Sequence, residues 1–325
     1  MHKGLLAYQP PGFEQRSLLT SLGTVAYYTC VRPTINTWTD NTPQEKPTVV
    51  FFHNFGGGAS AYEWSKVYGA LTHRYRVIAP DLVGWGESEH PQRQYKSEDY
   101  VQNIQEIIQQ VGGKPSRVQR GDVQQKGVQP TETTPVIAVA SSFTAGLVTR
   151  LAAQKPDLFS QLFLVCPAGF NDFGKGAGRR IPAPIINTPF LDKVIYALGA
   201  TNELAVRNFL ESFLFARPSR LSTETVSAYL TCAQKPNADY AALSFLRGDL
   251  YFDVAPYVCE LQVPTAIVWG EKAQFTPVST GQKLAALNPQ AVRQFQVVSE
   301  TGVLPHLEQP GVVTNLLLAW LCQQP

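Results

Sequence analysis

The sequence predicts an α/β fold, a mostly parallel sheet covered by helices on both faces. Two features carry that expectation. Short apolar runs rich in β-branched and aromatic residues recur without polar alternation, as strands buried on both faces require. Between them lie longer segments with helical spacing, the alternation from which right-handed crossovers are built.

Taken in order, Leu18 to Arg32 reads as an antiparallel hairpin at the sheet edge, and Thr48 to His53 and Arg76 to Pro80 as buried strands. Tyr100, Val101, Ile104, Ile107, Ile108 and Val111 share one helical face, and Gly112-Gly113 supplies a stop. Gly112 to Thr134 is polar, glutamine-rich and free of aromatics, so it reads as an exposed loop insert. Pro135 to Ala140 and Leu162 to Cys166 are the next strands. Pro167 to Pro264 is far longer than one crossover helix. It holds helical patterns over Asn202 to Ala216 and Thr223 to Ala233, behind an apolar, proline-rich entry from Ile181 to Pro189. Thr265 to Trp269 and Phe295 to Val298 complete the sheet. The expected organisation is a core of residues 1–166 and 265–325, with residues 167–264 forming a helical cap over the strand ends.

Lysine and arginine number 27 against 25 aspartates and glutamates, a formal charge of +2, so the chain lacks the basic footprint of a nucleic-acid binder. No apolar run reaches the roughly 18 residues that span a bilayer, and Met1 to Glu14 has no apolar signal core. The five cysteines are widely spread and never form a CxxC pair. They read as buried thiols of a reducing, cytoplasmic compartment and not as a zinc site. Nothing in the sequence calls for a cofactor.

Pro135 to Gly146 reads PVIAVASSFTAG, an apolar strand running through Ala140-Ser141-Ser142-Phe143-Thr144 into small residues that open a helix. His53-Asn54-Phe55-Gly56-Gly57-Gly58 follows one strand, and Asp81-Leu82-Val83-Gly84-Trp85-Gly86-Glu87-Ser88 follows the next. Trp269-Gly270-Glu271 closes a late strand, and Gly302 to Pro310 reads GVLPHLEQP. In this order the segments resemble the α/β-hydrolase superfamily, with its oxyanion loop, Asp-x-x-Gly-x-Gly-x-Ser segment, nucleophile elbow, acid loop and histidine loop. The resemblance spans Thr48 to Pro310 and implies an eight-stranded, mostly parallel sheet with a helical cap. It implies Ser142 at the nucleophile position and an oxyanion hole made by the backbone N–H groups of Phe55 and Phe143.

A serine hydroxyl is a poor nucleophile without a base, and the base needs an orienting acid. The resemblance places the acid at Ala273, inside the frame Gly270 to Pro277, and the base at Val303, after Gly302. Both are replaced while their flanking residues remain. Thr144 and Asn54 also depart from the family pattern and are expected to strain the elbow and reshape the oxyanion loop. The chain has five histidines. His2 lies in a terminus, His73 precedes a strand, His53 is a structural residue of the oxyanion loop, and His90 is expected in solvent. His306 is the remaining candidate base, but it lies three residues on, a helical turn or roughly 5 Å. General-base catalysis needs an approach of about 3 Å. Glu271, Asp172 and Glu300 are candidate acids near the strand ends, Glu308 reads as a structural helix-start residue, and Cys166 as a core thiol.

The first expectation is therefore a degenerate α/β-hydrolase fold that no longer hydrolyses and binds an apolar small molecule or a protein partner. Its rival is an active esterase- or lipase-like hydrolase of hydrophobic esters, with Ser142 served by His306 or another non-standard base. A third reading is a cofactor-free lyase or isomerase. The apolar cap entry favours an apolar ligand, and Arg179-Arg180 ahead of it offer contact with a membrane surface or a partner.

Overall fold

The computed structural model describes residues 4–31, 46–112, 134–170, 202–274 and 276–323. Strands β1 (Phe13–Leu19), β2 (Thr24–Cys30), β3 (Thr48–Phe52), β4 (Arg76–Pro80), β5 (Val136–Ser141), β6 (Phe159–Val165), β7 (Thr265–Gly270) and β8 (Val292–Val298) form one sheet. Their order is β1-β2-β4-β3-β5-β6-β7-β8. β2 runs antiparallel to β1 and β4, and every other pairing is parallel. The expected eight-stranded, mostly parallel sheet is the one found.

Three boundaries differ from the sequence reading. The edge hairpin starts at Phe13, not Leu18, and its turn is closed by the Thr20 hydroxyl donating to the Gly23 carbonyl at 2.6 Å. β6 begins at Phe159, ahead of the apolar stretch that marked it. β8 is not buried on both faces: only Val292 and Val298 within it are buried. It is the last strand of the sheet, and Arg293 and Gln296 turn to solvent there.

Helix α1 (Ser97–Gly112) carries Glu98 and Asp99 in its first turn, where acidic side chains complement the helix dipole. Its face of Tyr100, Ile104, Ile107 and Ile108 is fully buried, each aliphatic side chain contributing about 1.5–3 kcal/mol. α2 (Ser142–Gln154) leaves β5 directly. Between β6 and β7 lie α3 (Glu203–Phe209), α4 (Thr223–Ala233), α5 (Ala238–Arg247) and α6 (Ala255–Glu260). Asn202 caps α3 by accepting from the Ala205 N–H, and Ser222 caps α4 by accepting from the Thr225 N–H. The helical pattern over Asn202 to Ala216 splits: after Phe209 the chain widens into a single π-type turn, Leu210–Leu214. α7 (Val278–Ala286), α8 (Pro305–Glu308) and α9 (Pro310–Leu321) complete the chain.

All five cysteines are unpaired. Cys166 and Cys232 are buried as expected, but Cys259, on the short helix α6, and Cys322, just past α9, are exposed. No helix among the described residues is long and apolar enough to cross a membrane. His2, Asp172, Arg179, Arg180 and the entry Ile181 to Pro189 lie outside the described residues, as does all of the insert except its two ends.

Those ends meet. The Thr134 N–H donates to the Gly112 carbonyl at 3.2 Å, so a short turn can bridge α1 to β5. Replacing residues 113–133 with a four-residue Gly-Ser turn shortens the closed loop by a little over two doublings, worth roughly 1 kcal/mol of closure entropy. The expected outcome is a melting temperature unchanged or raised by about 2–4 °C in calorimetry. A loss of folded protein would show that the insert packs.

Candidate active site

β5 passes into α2 through Ser142, whose φ of 52° is left-handed. A non-glycine residue held there costs about 1–3 kcal/mol and persists only where its surroundings impose it. Two contacts do so. The Ala168 N–H donates to the Ser142 carbonyl at 3.1 Å. Gly146, one turn along α2, faces the Ala168 carbonyl, and a Cβ there would lie 2.5 Å from that oxygen. Ser142 itself is half-buried. Thr144, expected to strain this turn, is accommodated: it is fully buried, and its hydroxyl donates to the His53 carbonyl at 2.5 Å.

That bond ties the elbow to the loop after β3. The rings of Phe55 and Phe143 meet edge-on with centroids 5.3 Å apart, so the two residues of the expected oxyanion hole are neighbours. His53 is structural. The Leu82 N–H donates to its Nε2 at 3.0 Å, which makes Nδ1 the protonated nitrogen, 2.6 Å from the Asn54 carbonyl. Burial holds the His53 pKa below its ordinary value.

Asn54 is held by a residue that sequence reasoning missed. Its Nδ2 donates to Glu63 Oε1 at 2.8 Å and its backbone N–H to Glu63 Oε2 at 3.0 Å. The Tyr229 hydroxyl, from α4, donates to the same carboxylate at 2.7 Å. Glu63 is completely buried, yet Ala61-Tyr62-Glu63-Trp64 carries no motif, and only the departure of Asn54 from the family pattern hinted that the loop needed a new partner. Asp81, opening the Asp-x-x-Gly segment, is likewise a backbone anchor. It accepts from the N–H groups of Ala61 at 2.7 Å and Glu87 at 2.8 Å. Those amides favour the carboxylate, but burial outweighs them and pushes its pKa up to about 7.

The acid and histidine loops lie side by side. The Lys272 N–H donates to the Thr301 carbonyl at 2.8 Å, and Gly270 has no room for a Cβ because the Gly302 carbonyl occupies that position. The two loops thus share one backbone frame. The side chains in it are Ala273 and Val303, each only 6 % exposed.

The other candidates are engaged elsewhere. Glu271 is exposed and accepts from the Glu300 N–H at 2.9 Å; that bond and Lys272 hold its carboxyl below the usual range. Glu300 pairs with Arg217. Glu308 closes α8 and does not begin a helix. Its carboxylate accepts from Gly302 N–H at 2.5 Å and from Ala216 and Arg217 N–H at 3.1 Å, fastening the histidine loop to the segment after α3. His90 is half-buried and not in free solvent, with Nε2 3.1 Å from the Gly86 carbonyl. Burial pushes the Cys166 thiol up to about 12, and its Sγ accepts from the Gly270 N–H at 3.3 Å, so it is an inert core group.

His306 is fully buried and stacks on Trp64 with centroids 3.9 Å apart and planes 13° from parallel. Its Nε2 lies 3.9 Å from Glu63 Oε2. Among the described residues neither ring nitrogen has a hydrogen-bond partner, so His306 does not bond to Ser142.

The chain is similar to the uncharacterized hydrolase YugF of Bacillus subtilis (strain 168), with 26 % identity over 275 residues, 83 % of this chain and 88 % of that protein. It is 26 % identical to Lipase 1 of Psychrobacter immobilis over 264 residues, 80 % of this chain and 72 % of the lipase. The crystal structure of carboxylesterase CesB from Bacillus subtilis superposes with a TM-score of 0.70 at 16 % identity, covering 98 % of this chain and 95 % of the esterase. The sequence profile of the alpha/beta hydrolase family matches residues 49–316, and with this sheet order and strand-to-helix turn the chain belongs to that family.

Proposed function

We propose that this chain is a non-hydrolytic α/β hydrolase that binds an apolar small molecule at the strand ends, beneath a cap formed by the β6–β7 connection. One observation carries the reading: Ala273 and Val303 stand buried and apolar inside two loops whose backbone frame is otherwise complete. His306 offers no relief, since its ring is committed to Trp64 and faces Glu63. Loss of the base alone costs a serine triad on the order of a millionfold in turnover. Oxyanion-hole and binding effects leave roughly a thousandfold over water, too little for a metabolic hydrolase.

An apolar ligand is supported by the aromatic surroundings of the elbow. The Phe143 ring lies 5.4 Å from Phe245 of α5 and 5.7 Å from Phe252. Phe209 of α3 reaches within 3.8 Å of where a Cβ on Gly56 would stand. A protein partner at the same face is the other occupant to test. A second reading, an active hydrolase of hydrophobic esters, draws support from the retained left-handed Ser142 and from the likeness to a lipase.

Fluorophosphonate labelling and turnover of short activated esters separate the two. Wild type is expected to stay unlabelled and to match Ser142→Ala in turnover. The double variant Ala273→Asp with Val303→His is expected to gain at least about tenfold, a small part of the millionfold a full triad supplies, and to lose that gain with Ser142→Ala. Wild-type labelling, with turnover abolished by both Ser142→Ala and His306→Ala, would establish the hydrolase and make His306 its base.

A further inference from the structure

The connection between β6 and β7 passes over four core loops at the strand ends, and each contact has main-chain atoms on at least one side. At the histidine loop the Val303 N–H donates to the Leu214 carbonyl at 3.0 Å. Gly302 beside it has no room for a Cβ, because the same carbonyl occupies that position. At the oxyanion loop the Tyr229 carbonyl of α4 fills the Cβ position of Gly58. In the segment that begins at Asp81, a Cβ on Gly84 would lie 2.6 Å from the Ala241 Cβ of α5. Further along, the Tyr95 N–H donates to the Ser244 hydroxyl of α5 at 3.1 Å. After β6, the Gly169 carbonyl accepts from the Val254 N–H at 3.0 Å, just ahead of α6.

Two buried carboxylates reinforce these seats. Glu308 accepts from the Gly302 N–H at 2.5 Å on the core side, and from the Ala216 and Arg217 N–H groups at 3.1 Å on the other. Glu63 likewise accepts from the Asn54 N–H at 3.0 Å and from the Tyr229 hydroxyl at 2.7 Å.

We propose that the stretch from Leu214 to Val254 is a fixed roof clamped to the core, and that a ligand reaches the strand ends without its opening. A lid swings on a few residues that absorb a large φ/ψ change, or slides as packed side chains readjust. Neither route is open to this stretch. Both its ends are pinned, Leu214 to Val303 and Val254 to Gly169. At Gly302 and Gly58 main chain meets main chain, with no side chain between them to readjust. Opening would also strip the Val303, Ala216, Arg217 and Tyr95 N–H groups of their acceptors together. The inference goes beyond the functional reading above and holds whether or not Ser142 turns over an ester.

Native-state hydrogen exchange on the full chain, followed by NMR, tests the roof. The amides of Val303, Tyr95 and Val254, all buried, report three of the seats, and that of Val139 in β5 reports the core. Protection of the three is expected to lie within about tenfold of Val139, because they exchange only when the core unfolds. Any of them more than about tenfold less protected than Val139 would show an opening lid and overturn the proposal. Glu308→Gln removes one carboxylate tie. It should lower the protection of Val303 relative to Val139 at least about tenfold, while Tyr95 and Val254 keep their ratios. An unchanged Val303 ratio would deny the clamp, and an equal fall at all three would reveal a hinged lid held by a single tie; either result overturns the roof. Should Glu308→Gln fail to fold, the wild-type comparison decides.

Discussion

The strand ends of this protein depend on one strained residue. Ser142 turns β5 into α2 with a left-handed backbone, and the neighbouring segments are shaped by the need to hold it there. The segment after β6 closes on it through Ala168, Gly146 yields its Cβ volume to the same segment, and Thr144 reaches across to the His53 carbonyl. None of these contacts involves a proton acceptor for the serine hydroxyl. The turn is therefore held by main-chain and packing contacts that do not depend on the serine hydroxyl.

A second constraint is the use of buried carboxylates as ties for backbone N–H groups. Asp81 gathers Ala61 and Glu87, Glu63 gathers Asn54, and Glu308 gathers Gly302, Ala216 and Arg217. Loops at the strand ends cannot satisfy their amides within a sheet or helix, and an unpaired buried donor costs about 1–3 kcal/mol. A carboxyl group that accepts from several donors removes that cost in several places at once. Glu63 and Glu308 do more, because each also joins a core loop to the β6–β7 connection, through Tyr229 in one case and Ala216 and Arg217 in the other.

The acid and histidine loops follow from the same logic. Their adjacency is set by main-chain contacts, Lys272 to Thr301 and Gly270 against Gly302, so side chains can change without displacing the frame. Alanine and valine there bury cleanly, whereas an aspartate or histidine alone would be a buried polar group without its partner.

Much was legible in the sequence because periodicity and small-residue spacing are local. The buried strands, α1, the pattern behind α4 and the strand-to-helix turn at Ser142 could all be read from residue order. What could not be read was partnership across long separations. Glu63 lies far in sequence from Tyr229 and His306, and nothing in Ala61 to Trp64 marks its carboxylate as buried. Residue order left His306 as a candidate base, and the stacking of its ring on Trp64 came only with the fold. Thr144 and Asn54 looked like defects until their acceptors were visible. The exposure of β8 and of Cys259 was hidden for the same reason. Sequence alone determined the elements, their order and the absence of an acid and histidine at Ala273 and Val303, because these depend on residue type and spacing. Only the tertiary structure decided which buried polar groups satisfy one another, because that depends on which loops the sheet brings together.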